Sequence, residues 1–305
     1  MHRSRCCCDS RAGVSAVDQL YFVISQRDEI HGKGTGATFP NVSGQMVSEF
    51  KLVLPPLPEQ RRIVGILDEA FAGIAAAKAH AEQNRQNARA LFESHLHAVF
   101  THRGPGWVES ALEEIAAFKN GLNFNRNSHG QTLPIVGVGD FQSNNVVPVG
   151  CLASVTIDGE LSSEYALREN DIVTVRSNGS RDLVGRCMVV PRLSETTSYS
   201  GFIIRIRCDT TRISPRFLLR FMKSSETREQ LTRDGGGANI SNINQAKLSS
   251  LRVSLPPLSE QERIITTLDA LQTETQRLEA LYARKLAALD ELKAALLHQA
   301  FSGQL

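Results

Sequence analysis

The 305-residue chain is 41% hydrophobic and 22% charged, with a formal net charge of +2. This composition excludes a disordered chain and fits one large or two modest folded domains. So small a net charge also excludes a broadly basic surface, so any nucleic-acid contact has to come from local patches.

The opening MHRSRCCCDSRAG carries charge with no apolar stretch behind it, unlike a secretory signal. No run of about 18 apolar residues occurs anywhere, so no membrane-spanning helix is expected. Cys6, Cys7 and Cys8 are adjacent, while Cys151, Cys187 and Cys208 are scattered without metal-ligand spacing. Free thiols in a reducing cytosol follow, with no metal and no cofactor. LYFVISQRDEI then reads as a single helix, followed by GKGTGATFPNVSGQ.

The next stretch, LPPLPEQRRI at 54–63, opens a long helix. Its double proline ends whatever precedes it and pins an extended entry. Pro58 suits a first helical turn, and Glu59 places negative charge at the positive helix end. Some 40 residues free of proline follow, roughly 60 Å of helix. Apolar spacing alternates four and three through Ile63, Leu67, Ala70, Ile74, Ala77 and Ala81, then Asn84, Ala88 and Leu91, as in a coiled-coil seam.

Residues 104–254 differ in character. GPGWVESALEEIAAFKNG has a short helix-like pattern. LPIVGVGDF, NNVVPVG, DIVTVRSNGS, GRCMVVPRL and YSGFIIRIRC are Val/Ile-rich runs bounded by turn residues and read as strands. PRFLLRFMKSSETREQLT has helical spacing. A mixed α/β domain of about 150 residues is predicted.

At 255–264 the entry sentence returns as LPPLSEQERI. Ser259 with Glu262 forms a candidate capping box. The seam follows as Ile264, Leu268, Leu271, Thr275, Leu278, Tyr282, Lys285, Leu289, Leu292 and Leu296. Pro256 minus Pro55 gives an offset of 201, which also relates Leu67-Asp68 to Leu268-Asp269, Leu96-His97 to Leu297-His298, and Phe100 to Phe301. A unit of roughly 65 residues is therefore written twice. Both seams turn polar at one repeat position, Asn84 and Lys285, which sets register or leaves a solvated gap. The two helices either fold back antiparallel on each other or offer their seams to another subunit. LYFVISQRDEI and GKGTGATFPNVSGQ stand where RFLLRFMKSSETREQL and GGGANISNINQ stand in the second copy, so the first copy keeps only the end of its own domain. A truncated or mis-started product is expected.

Two LPPLxEQxxI motifs, each leading a long helix and flanking a variable α/β domain, closely resemble the specificity subunit of type I restriction-modification systems. GTGATFPNVS, DIVTVRSNGSRDLVGRC and the ending LLHQAFSGQL add to the resemblance, which covers about Tyr21 to Leu305. It implies an α+β chain in which one target-recognition domain is flanked by two long helices forming an antiparallel coiled coil. The expected organisation is a remnant of a first recognition domain (1–54), a spacer helix (55–103), the recognition domain (104–254) and a second spacer helix (255–305). The resemblance also implies reading of half of a bipartite duplex DNA target and docking of modification (methyltransferase) subunits, and through them the restriction subunit. A second copy is a further expected partner, because only one recognition domain is complete. The expected location is cytoplasmic. The competing reading is a coiled-coil remnant that binds modification subunits without reading DNA.

Base reading needs Arg, Lys, Asn or Gln side chains at groove edges. VRSNGSRDLVGR offers Arg176, Ser177, Asn178, Ser180, Arg181 and Arg186. GLNFNRNSHG offers Asn123, Asn125, Arg126 and Asn127. GGGANISNINQ offers Asn239, Asn242, Asn244 and Gln245, and its amides suit phosphates. All three stretches are also turn formers. No phosphate-binding GxxxxGK[ST] loop, amino-methyltransferase signature or clear carboxylate–lysine nuclease set is present, so no autonomous catalysis is expected.

Overall fold

The computed structural model describes residues 16–33, 42, 55–101, 104–125, 127–142, 144–180, 182–232 and 241–305. The opening MHRSRCCCDSRAG, most of GKGTGATFPNVSGQ, and Arg126, Arg181 and Asn239 lie outside these residues, as does the side chain of Asn242. The chain divides into two compact units, residues 1–89 with 276–305, and residues 90–275.

In the first unit, α1 (Ala16–Ser25) and α2 (Arg27–Lys33) accompany the first part of α3 (Leu57–Thr101) and the last part of α7 (Leu258–Ser302). Each long helix has 45 residues, about 67 Å at 1.5 Å per residue. Their pairing is antiparallel. Lys78 bonds Asp290 at 2.6 Å and Arg89 bonds Glu279 at 2.5 Å, so higher numbers on one helix meet lower numbers on the other. Ile63, Leu67, Leu297 and Ala300 form the buried centre, with Tyr21, Ile24 and Phe71 packed against it.

The second unit is mixed α/β. An antiparallel sheet has the order β2 (Ala116–Asn120), β9 (Ile203–Cys208), β5 (Ile172–Val175), β7 (Cys187–Val189). All four residues of β5 are buried because both faces of this sheet are covered. Ile172, Cys187, Ile204 and Ile206 pack on one side with α4 (Pro215–Lys223), α5 (Ser225–Thr232) and α6 (Gln245–Ser249). Val173, Val175, Met188 and Ile203 pack on the other with Val136, Phe141 and Tyr199. A three-stranded sheet of β4 (Ala153–Thr156), β3 (Thr132–Val136) and β8 (Ser198–Tyr199) contributes Val136 and Tyr199 to that second layer. Asp171 is 2% exposed and accepts paired bonds from Arg207 at 2.7 Å, so this buried acceptor is satisfied.

Three features differ from the sequence reading. GPGWVESALEEIAAFKNG is not helical: it forms β1 (Val108–Ala111), one 3-10 turn and β2. Pairing of β1 with β11 (Arg252–Leu255) and of β2 with β9 overrides local helical preference. NNVVPVG makes only an isolated bridge, Val146 to Val189. Ser259 does not cap α7, because the helix already starts at Leu258 and the Pro257 carbonyl accepts from Glu260 N and Gln261 N.

The seam also departs from strict heptads. Asn84 and Lys285 are exposed and lie off it, as do Leu91 and Leu292. One row of the predicted seam holds: Leu67, Ile74, Ala81 and Ala88 are buried at seven-residue spacing, and Leu268 and Thr275 are buried with Tyr282, Leu289 and Leu296 half-buried after them. The other row, from Ile63 and Ile264, turns outward along the helix, as expected where an undistorted helix drifts relative to a seven-residue repeat.

Candidate nucleic-acid interface

The three candidate stretches meet at one edge of the α/β unit. β6 (Ser177–Asn178) pairs antiparallel with β10 (Ser241–Asn242), joining VRSNGS to ANISN. Ile243 N donates to Arg176 O at 2.7 Å, and Arg176 N donates to Phe202 O at 2.9 Å. Gly201 N then reaches Leu122 O at 2.7 Å, and Leu122 N reaches Tyr199 O at 2.9 Å, which brings in GLNFN. The result is a ridge of four backbone segments held by main-chain bonds. Gly121 is required at its base, since a Cβ there would run into the Tyr199 and Ser200 carbonyls.

The side chains divide into two groups. Some are committed to holding the loops. Asn178 Oδ1 accepts from Ser180 N at 2.7 Å, and Asn125 Oδ1 accepts from Asn127 N at 2.8 Å. Asn244 Oδ1 caps α6 by accepting from Lys247 N at 2.8 Å. Arg186 donates to the carbonyls of Asp182 at 2.9 Å, Phe141 at 3.2 Å and Gln142. Gly185, whose φ of 80° lies in the left-handed region that favours glycine, makes the turn just before Arg186.

The others make no such side-chain hydrogen bonds among the described residues. Arg176 is half-buried, and its Nε has no partner among the described residues. Asn123 and Ser180 are exposed, and Ser177 is half-buried beside them. Phe202, at the turn into β9, is 62% exposed although it is a large apolar residue. Sequence reasoning missed Phe202 because YSGFIIRIRC reads as one strand with Phe inside it. The Ser-Gly pair before it was the available turn signal.

Asp158 steadies the base of the Asn123–Asn127 loop, accepting from His129 N at 3.0 Å and from Ser128 Oγ at 3.3 Å. Tyr199 anchors the centre of the ridge, and burial pushes its phenol up to about 12. Its hydroxyl therefore serves as a hydrogen-bond donor, to Lys119 O at 3.3 Å. Among the described residues, no group of three or more His, Cys, Asp or Glu is placed to hold a metal ion. None of their helices is long and apolar enough to cross a membrane.

An antiparallel helix pair with an α/β unit carrying an outward ridge defines a fold class also seen in solved structures. A chain from a structure of type I R-M complex assembly and conformational transition superposes with a TM-score of 0.78 at 22% identity, covering 97% of this chain and 73% of that one. The HsdS subunit from Thermoanaerobacter tengcongensis gives 0.59 at 21% identity, covering 96% and 71%. The family model for the type I restriction modification DNA specificity domain matches residues 16–83 and 105–284, and the chain belongs to that family. Among curated relatives, the type I restriction enzyme StySPI specificity subunit of Salmonella potsdam is 26% identical over 291 residues, and the EcoKI specificity subunit of Escherichia coli K12 is 26% identical over 302. Each alignment covers 92% of this chain, which spans 63% of either relative's length.

Proposed function

We propose that this chain is a non-catalytic, sequence-specific DNA-binding component of a type I restriction-modification complex. In this reading residues 104–254 form the target-recognition domain and read one half of a bipartite duplex target. The spacer helices, 55–103 and 255–305, dock modification subunits and through them the restriction subunit, in the cytoplasm. Residues 1–54 precede the first spacer helix and stand, by the offset of 201, where the end of the recognition domain stands in the second copy. The family membership supports the setting. The observation that carries the reading is the backbone-joined ridge, on which Arg176 remains without a side-chain hydrogen bond among the described residues.

The physical case is one of pre-organisation. A fork of guanidinium donors held on a main-chain framework loses little freedom on meeting a base edge, and a good two-point contact discriminates by about 1–3 kcal/mol. Asn123 and Ser180 offer further donors, and Phe202 offers an apolar face for a thymine methyl. Arg126, Arg181, Asn239 and Asn242 remain proposed contacts from the sequence. A two-part target needs two readers, and the proposed source of the second is another copy of this chain, giving two-fold related half-sites.

Selection from randomised duplex, with and without modification subunits, tests the proposal. Enrichment of a defined sequence is expected. Subunit binding without enrichment would replace it with the assembly-remnant reading.

A further inference from the structure

A second feature of the α/β unit is a cleft of about 280 Å³ beside the ridge, into which Arg186, Arg220, Lys223 and Arg228 converge. One carboxylate, Glu93, shares the lining. Arg220 is matched by Asp269 at 2.5 Å and also bonds Gln272 at 2.6 Å. Arg186 is satisfied by carbonyls, which leave its charge in place. Lys223 Nζ bonds the neutral Asn145 Oδ1 and forms no ion pair among the described residues. The lining thus holds more positive than negative charge in a partly buried space, an arrangement that is costly unless an anion completes it.

We infer that this cleft seats a phosphate group of the duplex backbone, with Lys223 as its principal cation and Arg186 and Arg228 beside it. This rests on the reading of the ridge as a duplex-contacting surface. The volume lies at the lower end for small-molecule pockets, which suits one phosphate better than a whole nucleotide. The link to the ridge is the Asp182 carbonyl, which accepts from Arg186 Nε at 2.9 Å and Arg228 Nη2 at 3.3 Å. Asp182 belongs to the segment that follows Arg176 and Asn178. A phosphate held here would fix the register in which that segment meets the bases. Burial, with the neighbouring Arg220 charge, lowers Lys223 to about 8, and a bound dianion or phosphodiester would offset that cost.

The test uses the full chain. Duplex affinity is measured between low and high KCl for wild type, Lys223→Gln and Lys223→Arg, and inorganic phosphate is titrated into each protein alone. The expected result for Lys223→Gln is a several-fold loss at low salt on every sequence, a salt slope shallower by about 1, and an unchanged selected motif. Lys223→Arg should retain the slope, and melting curves of the Gln variant exclude misfolding as the cause. An unchanged slope with loss of phosphate binding would reassign the cleft to free phosphate and overturn the duplex assignment. If neither changes, the cleft is no phosphate seat. If wild type fails to bind duplex at all, the ridge reading falls and takes the duplex assignment with it, while the phosphate titration still decides whether the cleft binds an oxyanion.

Discussion

The Arg186 guanidinium donates to three backbone carbonyls, whereas Arg176 on the same segment makes no side-chain hydrogen bond among the described residues. Residue type alone treats the two as equals, but their environments assign them different work. Arg176→Ala is expected to relax preference at one base position by about 1–3 kcal/mol without lowering the melting temperature, as read by selection and calorimetry. Arg186→Ala should instead lower stability by about 1 kcal/mol, because the part-buried Phe141 carbonyl loses its donor while the exposed Asp182 and Gln142 carbonyls turn to water. Lys223 adds a pH signature. Below pH 8 it is charged in folded and unfolded states alike, and its burial costs stability in full. Between about 8 and its ordinary value of 10.5 the unfolded chain holds the proton that the folded chain has released, so stability rises with pH. Denaturant midpoints should show Lys223→Met ahead of wild type at pH 7, with the gap closing toward pH 10.

At the scale of the elements, the repeated LPPLxEQxxI motif has a mechanical explanation centred on its glutamine. Gln60 and Gln261 are 1% and 0% exposed, and each donates to the carbonyl of the first proline, Pro55 at 2.8 Å and Pro256 at 2.9 Å. Gln261 also accepts from Ser214 N at 2.8 Å and donates to Arg212 O at 3.0 Å, so it holds the start of α4 against the start of α7. The glutamates before them bond Arg62 and Arg263 in the first turn, which lowers both carboxyls, but these pairs are exposed. Gln261→Leu is therefore expected to cost about 1–3 kcal/mol in chemical denaturation, since buried donors and acceptors are left unpaired. Glu260→Ala should leave the midpoint nearly unmoved, as exposed ion pairs contribute little.

At the scale of the whole molecule, the duplication is structural as well as textual. Phe301, the counterpart of Phe100, packs edge-on against Phe22, while Phe100 packs edge-on against Phe217 and Phe221. Asp68 accepts from Tyr21 of α1, and its counterpart Asp269 accepts from Arg216 and Arg220 of α4. Each unit therefore docks a short helix on the same face of its long-helix entry. Antiparallel pairing makes a direct prediction. A chain carrying Lys78→Cys and Asp290→Cys should be bridged within the chain by a short bis-maleimide crosslinker, whereas Lys78→Cys with Glu279→Cys should not, as read by peptide mapping. If a second copy supplies the second reader, sedimentation in the presence of selected palindromic duplex should give two chains per duplex.

The duplication, the two long helices and the α/β character of the intervening segment were all legible in the sequence. Helix entries, apolar periodicity and an offset of 201 are local or self-referential signals that need no folded partner to be read. So was one row of the seam, since Leu67, Ile74, Ala81 and Ala88 are buried, but the other row was not, because small drift per turn accumulates over 45 residues until Leu91 and Leu292 face solvent. Nor was the strand character of Val108–Ala111, whose partner lies at Arg252–Leu255, or the inward turn of Arg186 toward carbonyls at Phe141 and Gln142. Those outcomes depend on which distant backbone groups need a hydrogen-bond partner once the core has closed, and only the tertiary structure decides that.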